Sequence, residues 1–540
     1  MFSPQPFSAS SATSAVNPHS ICGPRTEAPA CDAMKAWAKG LAIVERATSH
    51  QARTAIVAQD GRFTYEELLA ASHGVADALL EGNDDLAEAR VAYLIPPSFL
   101  WVAAQWGIWR AGGVAVPLAV SHPPPELEYV LTDSGAVAVV AHPEFAERIE
   151  PVARGRGIKL LVWSEAPAAF GGKLPAVLPD RRAQIFYTSG TTAKPKGAVL
   201  THANLAAQVQ SLVAAWEWSS NDHILGVLPL HHVHGVVNVL TCALWSGAVC
   251  ELLPAFDANH VWQRLLAGGV TLFMAVPTVY SKLIAAWERA SPEEQARLSA
   301  ACRGLRLMVS GSAALPVRVL DRWRDISGHT LLERYGMTEI GMALSNPVRG
   351  PRMPGHVGMP LPGVEVRLVS ETGREVAPGT PGEIEVRGPG VFREYLGRPD
   401  ETGAAFRDGW FRTGDVAVLE DGGYRILGRS SVDIIKTGGF KVSALEIEEV
   451  LREHPAIQEC AVVGVADEEW GERVCAALVP RAGCRLEPDL VTQWSRERLA
   501  SYKVPSRVLV VAELPRNAMG KVVKPDVVRL FPPLPDRQLP

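Results

Sequence analysis

Between residue 56 and about residue 310 the chain alternates short apolar runs with longer stretches of helical period. Residues 91–95, 114–118, 137–141, 160–163, 224–228, 272–276 and 305–309 have the length and texture of strands buried on both faces. Residues 99–110 read as a helix stopped by Gly112 and Gly113. Strands spaced by helices imply right-handed βαβ units and a mainly parallel sheet. In such sheets ligands gather at loops beyond the carboxyl ends of the strands.

The pattern changes after about Pro354. Residues 364–369 and 382–387 alternate with period two between Gly and Pro turns, which marks half-exposed antiparallel strands. From about Ser430 a second compact pattern begins, with a helix at 444–453, strands at 460–465 and 473–479, a helix at 487–499 and a strand at 508–511. Roughly 110 residues suffice for a small domain. The expected fold is α/β. A large domain (34–429) has mainly parallel sheets flanked by helices plus a distorted antiparallel β subdomain; a hinge (430–433) leads to a small mobile α+β domain (434–540). Residues 1–33 are expected to be a disordered tail, because they are rich in Ser, Ala and Pro with no acid before Glu27.

Composition narrows the classes. At 540 residues the chain exceeds what one core organises, so more than one domain is expected. A net charge of −5 gives no electrostatic reason for a nucleic-acid partner. No apolar run reaches the roughly eighteen residues of a membrane span. Eight scattered cysteines without a C-x-x-C pair suit a reduced compartment, hence the cytoplasm. Only Arg25 is basic before Lys35, which is lean for a transit peptide; a mitochondrial or plastid address is the alternative if the tail is one. Nothing in the sequence points to a protein partner.

Candidate chemistry begins with residues 188–197, Thr-Ser-Gly-Thr-Thr-Ala-Lys-Pro-Lys-Gly, between a strand-like segment and a helix-like one. Small hydroxyls, glycines and lysines make a donor-rich cationic loop able to wrap polyphosphate with backbone N–H groups. It is not a Walker loop, since its lysine precedes the glycine. Tyr335, Thr338 and Glu339 place an aromatic face, a hydroxyl and a carboxylate together, suited to a base, a phosphate oxygen and Mg²⁺. Asp415 stands on a glycine turn, where its carboxylate can accept two ribose hydroxyls. Lys521 follows Gly520 in a turn near the chain end; alone, such a lysine is ordinarily solvated surface. His231, His232 and His234 lack a fourth ligand and a nearby acid, so no structural metal is expected there.

Taken as a set, TSGTTAKPKG, LPLHHVHG, ERYGMTE, RTGD, GRSSVD, KTGGFKVSALEIE and PRNAMGK stand in the order found in the adenylate-forming superfamily, which the chain resembles from about residue 40 to 530. The resemblance implies ATP and CoA as co-substrates, a small carboxylic acid and Mg²⁺. It places Thr188, Ser189, Gly190, Thr191, Thr192 and Lys196 around the ATP phosphates and Tyr335 against adenine. Thr338 falls near the α-phosphate, Glu339 on Mg²⁺, and Asp415 and Arg429 at the ribose. Lys521 would bridge carboxylate and α-phosphate, His232 would sit where the acyl pocket meets the thiol tunnel, and Gly438 and Gly439 would line that tunnel after the small domain turns. Relatives commonly show a shorter hinge motif than Gly428-Arg429-Ser430-Ser431-Val432-Asp433, which leaves the pivot residue open.

The wording between motifs is most similar to malonyl-CoA and methylmalonyl-CoA synthetases. A dicarboxylate needs a cation for its distal carboxylate, because a buried unpaired charge is costly. Arg306 and Arg334 are the candidates, with Met342 setting pocket size. The rivals are a synthetase for a monocarboxylic fatty or aromatic acid, an enzyme that loads a carrier protein, and a nucleotide-binding regulator without catalysis.

Overall fold

The computed structural model describes residues 41–188, 195–420, 422–437, 440–467, 470–517 and 520–531. The apolar strands divide between two sheets. Leu332–Met337, Leu307–Ser310, Leu272–Ala275, His223–Gly226, Val249–Leu252 and Thr54–Ala58 run parallel in a sheet of nine strands among the described residues. Antiparallel strands finish its edges, Gly341–Ser345 and Met359–Pro360 at one end and Gly61–Thr64 at the other. A second sheet holds Lys159–Val162, Ala138–Ala141, Arg90–Leu94, Val114–Pro117 and Arg182–Thr188, all parallel. The chain then doubles back through the antiparallel strands Lys196–Thr201 and Glu394–Tyr395.

Helix Phe99–Arg110 shows why both sheets share a core. Every residue from Phe99 to Trp109 is buried, and a helix apolar all round must be covered all round. Its Ser98 cap accepts the Trp101 N–H at 3.3 Å. One cluster joins it to Tyr93, Val140 and Phe186 of the smaller sheet and to Ile224, Phe273 and Val309 of the larger. Truncating Trp101 or Trp106 to Ala would cost about 3–5 kcal/mol by the usual price of large core deletions.

The alternating segments form a third sheet from Glu365–Val369, Gly382–Arg387 and Trp410–Glu420, with Phe406–Arg407 and Gly423–Arg429 paired to the last of these. The small-domain sheet starts at Ile434–Thr437. Its long hairpin, Ile457–Asp467 with Gly471–Pro480, buries Cys460 and Val462 against helix Ala444–Arg452. The alternate positions Ala461 and Val463 pack with Val527 of helix Lys524–Arg529 on the other face.

At the junction Asp433 accepts the Arg429 N–H at 3.0 Å and pairs with Lys524 at 2.6 Å. Lys524 also pairs with Glu448 at 2.8 Å, which ties Asp433 to the small domain. Across the interface Glu449 accepts the N–H of Val317 at 3.0 Å. Arg318 donates to the carbonyls of Arg452 and Gln458, each at 3.4 Å.

Candidate active site

The site lies where the rule for open parallel sheets puts it. Thr188 ends its strand, and Ser312 and Thr338 follow the strands Leu307–Ser310 and Leu332–Met337. Three of the residues assigned to the nucleotide meet directly. Asp415 lies not on the expected glycine turn but inside the strand Trp410–Glu420, at a break in register where Gly414 takes φ 72°. Buried there, it accepts Tyr335 Oη at 2.6 Å and Arg429 Nε at 3.2 Å. Burial raises the Asp415 carboxyl, and the Arg429 charge and Tyr335 hydroxyl oppose that rise. The acid, the ring and the guanidinium thus come from two strands of one sheet and one of another, preset by hydrogen bonds.

Glu339 is buried at 4% exposure beside this group. Its Oε1 accepts Tyr395 Oη at 2.8 Å, while Oε2 has no partner among the described residues. Burial raises its carboxyl pKa. A buried carboxylate oxygen without a donor is costly, and a hard cation such as Mg²⁺ would satisfy it. Lys196 forms an ion pair with Glu401 and lies 5.3 Å from the centroid of the Tyr395 ring. Thr338 opens the turn between Leu332–Met337 and Gly341–Ser345.

A different chemistry faces the acyl side. Arg334 is 3% exposed and has no carboxylate partner among the described residues; burial pulls its pKa down to about 9, so it stays cationic at neutral pH. Its Nη2 donates to Ser312 Oγ at 3.3 Å, and Nε has no acceptor. Room for the guanidinium comes from Gly311, where an added Cβ would lie 2.5 Å from Arg334 Cζ. Ser312 takes the left-handed φ of 68°, uncommon for a side chain with a Cβ. His234 Nδ1 lies 3.2 Å from the same hydroxyl. Met342 is buried and presses on Gly336, whose missing Cβ would stand 2.7 Å from Met342 Cε.

In the histidine run His231 and His232 are half-buried and His234 is buried. Burial, then the neighbouring histidines, takes His231 down to about 2; burial, then Lys521, takes His232 down to about 4. His234 lies well below its ordinary value, through burial first and then Arg334. The segment His234–Thr241 winds as a π-helix, a rare form that often marks functional positions. No group of these residues has the makings of a metal site among the described residues.

Lys521 joins the two sides. Its loop is closed by Asn517 Oδ1, which accepts the Lys521 N–H at 3.0 Å, and by Gly520 at φ 76°. The residue is exposed to solvent, and the charges of Arg429 and Arg334 are near enough to act on its amine. Burial, then Arg429 on the nucleotide side and Arg334 on the acyl side, lowers its pKa. The lysine that looks like solvated surface in the sequence is exposed in the structure as well, and it feels both guanidinium charges.

Arg306 is a correction. Both arms of its guanidinium bind Asp222, Nε at 2.6 Å and Nη2 at 2.7 Å, and Nη1 donates to the Trp216 carbonyl at 3.0 Å. It precedes the strand Leu307–Ser310, whose other end carries the site, roughly 13 Å away at the usual strand rise. The structure thus gives Arg306 an acid of the fold as its partner, which leaves Arg334 as the cation better suited to a substrate. Ser189, Gly190, Thr191, Thr192, Gly438 and Gly439 lie outside the described residues, as does the tail. Sequence reasoning missed Ser312 and His234 beside Arg334, and Tyr395 beside Glu339. The H-x-H-G spacing and the Ser-Gly-Ser after an apolar strand were the available signals.

Paired residues suited to a nucleotide and a buried cation with no carboxylate partner among the described residues suit an enzyme that activates an acid. Residues 43–396 match the model of the AMP-binding enzyme family, and residues 446–521 match the AMP-binding enzyme C-terminal domain. The chain belongs to the AMP-binding enzyme family. It is 50% identical over 534 residues to the mitochondrial malonate–CoA ligase ACSF3 of Mus musculus, covering 92% of this chain and 91% of that protein. A malonate–CoA ligase of Arabidopsis thaliana is 42% identical over 481 residues, 83% of this chain and 79% of that one. Among solved structures, ATP-bound MatB from Rhodopseudomonas palustris superimposes with a TM-score of 0.83 at 35% identity, over 91% of this chain and 98% of that chain.

Proposed function

We propose that this protein ligates malonate, and also methylmalonate, to CoA through an acyl-adenylate, releasing AMP and pyrophosphate. The observation that carries the choice of acid is Arg334, a buried guanidinium with no carboxylate partner among the described residues. Leaving it uncompensated costs several kcal/mol, and a second carboxylate on the substrate repays that cost through charge-assisted hydrogen bonds. The hydroxyl of Ser312 and the neutral imidazole of His234 complete the same wall. The names of the similar proteins support the same acid.

In the first half-reaction one malonate carboxylate attacks the α-phosphorus of ATP, and the bond to pyrophosphate breaks. Both partners are anionic. Lys521 offsets their repulsion and stabilises charge growing on the phosphoryl oxygens. Tyr335, Asp415 and Arg429 hold adenosine, Thr188 and Lys196 meet the phosphates, and Thr338 meets the α-phosphate. Glu339 would hold Mg²⁺, which when bound neutralises phosphate charge. In the second half-reaction the CoA thiol attacks the acyl carbonyl carbon and AMP leaves. Residues 430–433 serve as the hinge that withdraws Lys521 between the two steps. His232 marks the entry of the thiol path.

A panel of acids in ATP–pyrophosphate exchange tests the reading. Malonate and methylmalonate should support exchange, while butyrate and benzoate should do so far less; equal exchange with the monocarboxylates overturns the assignment. The relatives' mitochondrial names and the acid-poor tail support a mitochondrial address. A reporter carrying residues 1–40 should enter mitochondria, and a diffuse cytosolic reporter would refute it.

A further inference from the structure

Tyr395 touches Glu339 and Lys196, two charged residues of the nucleotide side, while occupying none of the assigned positions. It lies on the edge strand Glu394–Tyr395, opposite Ala198 of the strand that Lys196 begins. Its hydroxyl donates to Glu339 Oε1 at 2.8 Å, and Lys196 Nζ stands 5.3 Å from its ring centroid. Its backbone N–H donates to Thr402 Oγ1 at 3.0 Å, and Phe392 meets the ring edge-on at 4.8 Å, so backbone and side chain are both fixed. Glu339 belongs to the nine-stranded sheet's hairpin and Lys196 to the other sheet. Tyr395 thus spans the two.

We propose that Tyr395 is a positioning residue that sets the metal-binding carboxylate and the phosphate lysine relative to each other. Resting on the nucleotide reading above, this assigns two functions to one side chain. The hydroxyl occupies Oε1 of Glu339 and holds the carboxylate so that the partnerless Oε2 is the oxygen left for a cation. The ring face seats the ammonium of Lys196 by cation–π attraction, while Glu401 keeps that charge paired. Residues that orient a ligating carboxylate commonly matter about 10–100-fold to metal affinity without touching the metal. A tyrosine serving only to fill the Phe392, Phe406 and Phe411 cluster would need its ring and not its hydroxyl.

The test is equilibrium binding rather than turnover. Mn²⁺ binding is followed by electron paramagnetic resonance in the full-length protein saturated with a non-hydrolysable ATP analogue, and AMP binding by calorimetry. Tyr395→Phe should weaken Mn²⁺ about 10-fold and leave AMP affinity within about 2-fold. Tyr395→Leu should add a further loss of about 3-fold in metal-free binding of the ATP analogue, as Lys196 loses its seat. Wild-type Mn²⁺ affinity in Tyr395→Phe, or equal losses for Mn²⁺ and AMP, would overturn the proposal and leave the nucleotide reading standing. Failure of the wild-type protein to bind the analogue at all would sink both.

Discussion

On the nucleotide side Asp415 is matched by Arg429, Lys196 by Glu401 and Glu339 by the hydroxyl of Tyr395. On the proposed acyl side Arg334 has no carboxylate partner among the described residues, and burial lowers the pKa of the nearby His232 and His234. The nucleotide half is organised before its ligand arrives, and its partners hold side chains in place for a polyanion that is the same in every turnover. The acyl half keeps one charge unsatisfied, so that affinity depends on what the acid brings. Preorganisation supplies positioning, whereas a buried unpaired charge supplies discrimination, because the wrong acid leaves it unpaired.

Lys521 belongs to neither half, and its loss should break the comparison most. Lys521→Ala should slow adenylation about 10³-fold, as expected for losing a principal donor to developing charge. Thioester formation from preformed malonyl-adenylate should be largely spared. Quenched-flow measurement of each half-reaction checks this; equal loss in both would remove its assigned role. Burial, Arg429 and Arg334 lower its pKa, so wild-type adenylation should decline with rising pH before an ordinary lysine would lose its proton. Lys521→Arg should move that alkaline limb upward.

Arg334→Ala tests the acyl half alone. Removing the cation should raise the KM for malonate about 100-fold while the KM for ATP changes little, given about 1.5–3 kcal/mol for a hydrogen bond to a charged group. Discrimination against butyrate should collapse in parallel. Initial rates at varied malonate and ATP separate the two constants, and matched rises in both would mean a damaged fold.

Much of this contrast was legible before any coordinates. The helix at 99–110 and strands such as 114–118 and 382–387 matched within a residue or so, because continuous apolar runs and period-two alternation are local signals. Lys521 could be assigned only through its motif, since nothing local sets an exposed turn lysine apart from solvated surface. The division of the strands into two sheets was not legible, because it depends on helix Phe99–Arg110 packing on both sides. Arg306 failed for a readable reason: it precedes the strand Leu307–Ser310, so the carboxyl-end rule already pointed away from it. Ser312 was hidden because its left-handed backbone and its approach to Arg334 arise only when two neighbouring strands are in register.

Met342→Ala sharpens the acyl half more gently. Its methyl group presses on Gly336 from the adjoining strand, and shortening it opens volume beside the Arg334 wall. Selectivity for ethylmalonate relative to malonate should rise up to about 10-fold, the usual worth of a methylene or two in a shaped pocket. Competition assays with mixed acids read this ratio directly, and an unchanged ratio would place Met342 outside the pocket.

The smallest effect concerns what holds the halves under Lys521. Helix Val317–Ser327 has Pro316 at its cap position, with no side-chain acceptor there, and its first N–H donates instead to Glu449 of the small domain. A carboxylate at a helix N-terminus satisfies an orphan donor and meets the positive end of the dipole, together worth about 1 kcal/mol. This cap exists only while the domains lie as they do here, with Lys521 feeling the charges of Arg429 and Arg334. If the small domain rotates between steps, Glu449→Ala weakens the adenylating arrangement and leaves the other untouched. Adenylation should slow about 5-fold, as about 1 kcal/mol implies, and thioester formation should hold or quicken slightly. Rapid-quench rates for the two half-reactions decide it: parallel slowing of both steps would show that Glu449 supports the fold of helix Val317–Ser327 rather than the balance between arrangements.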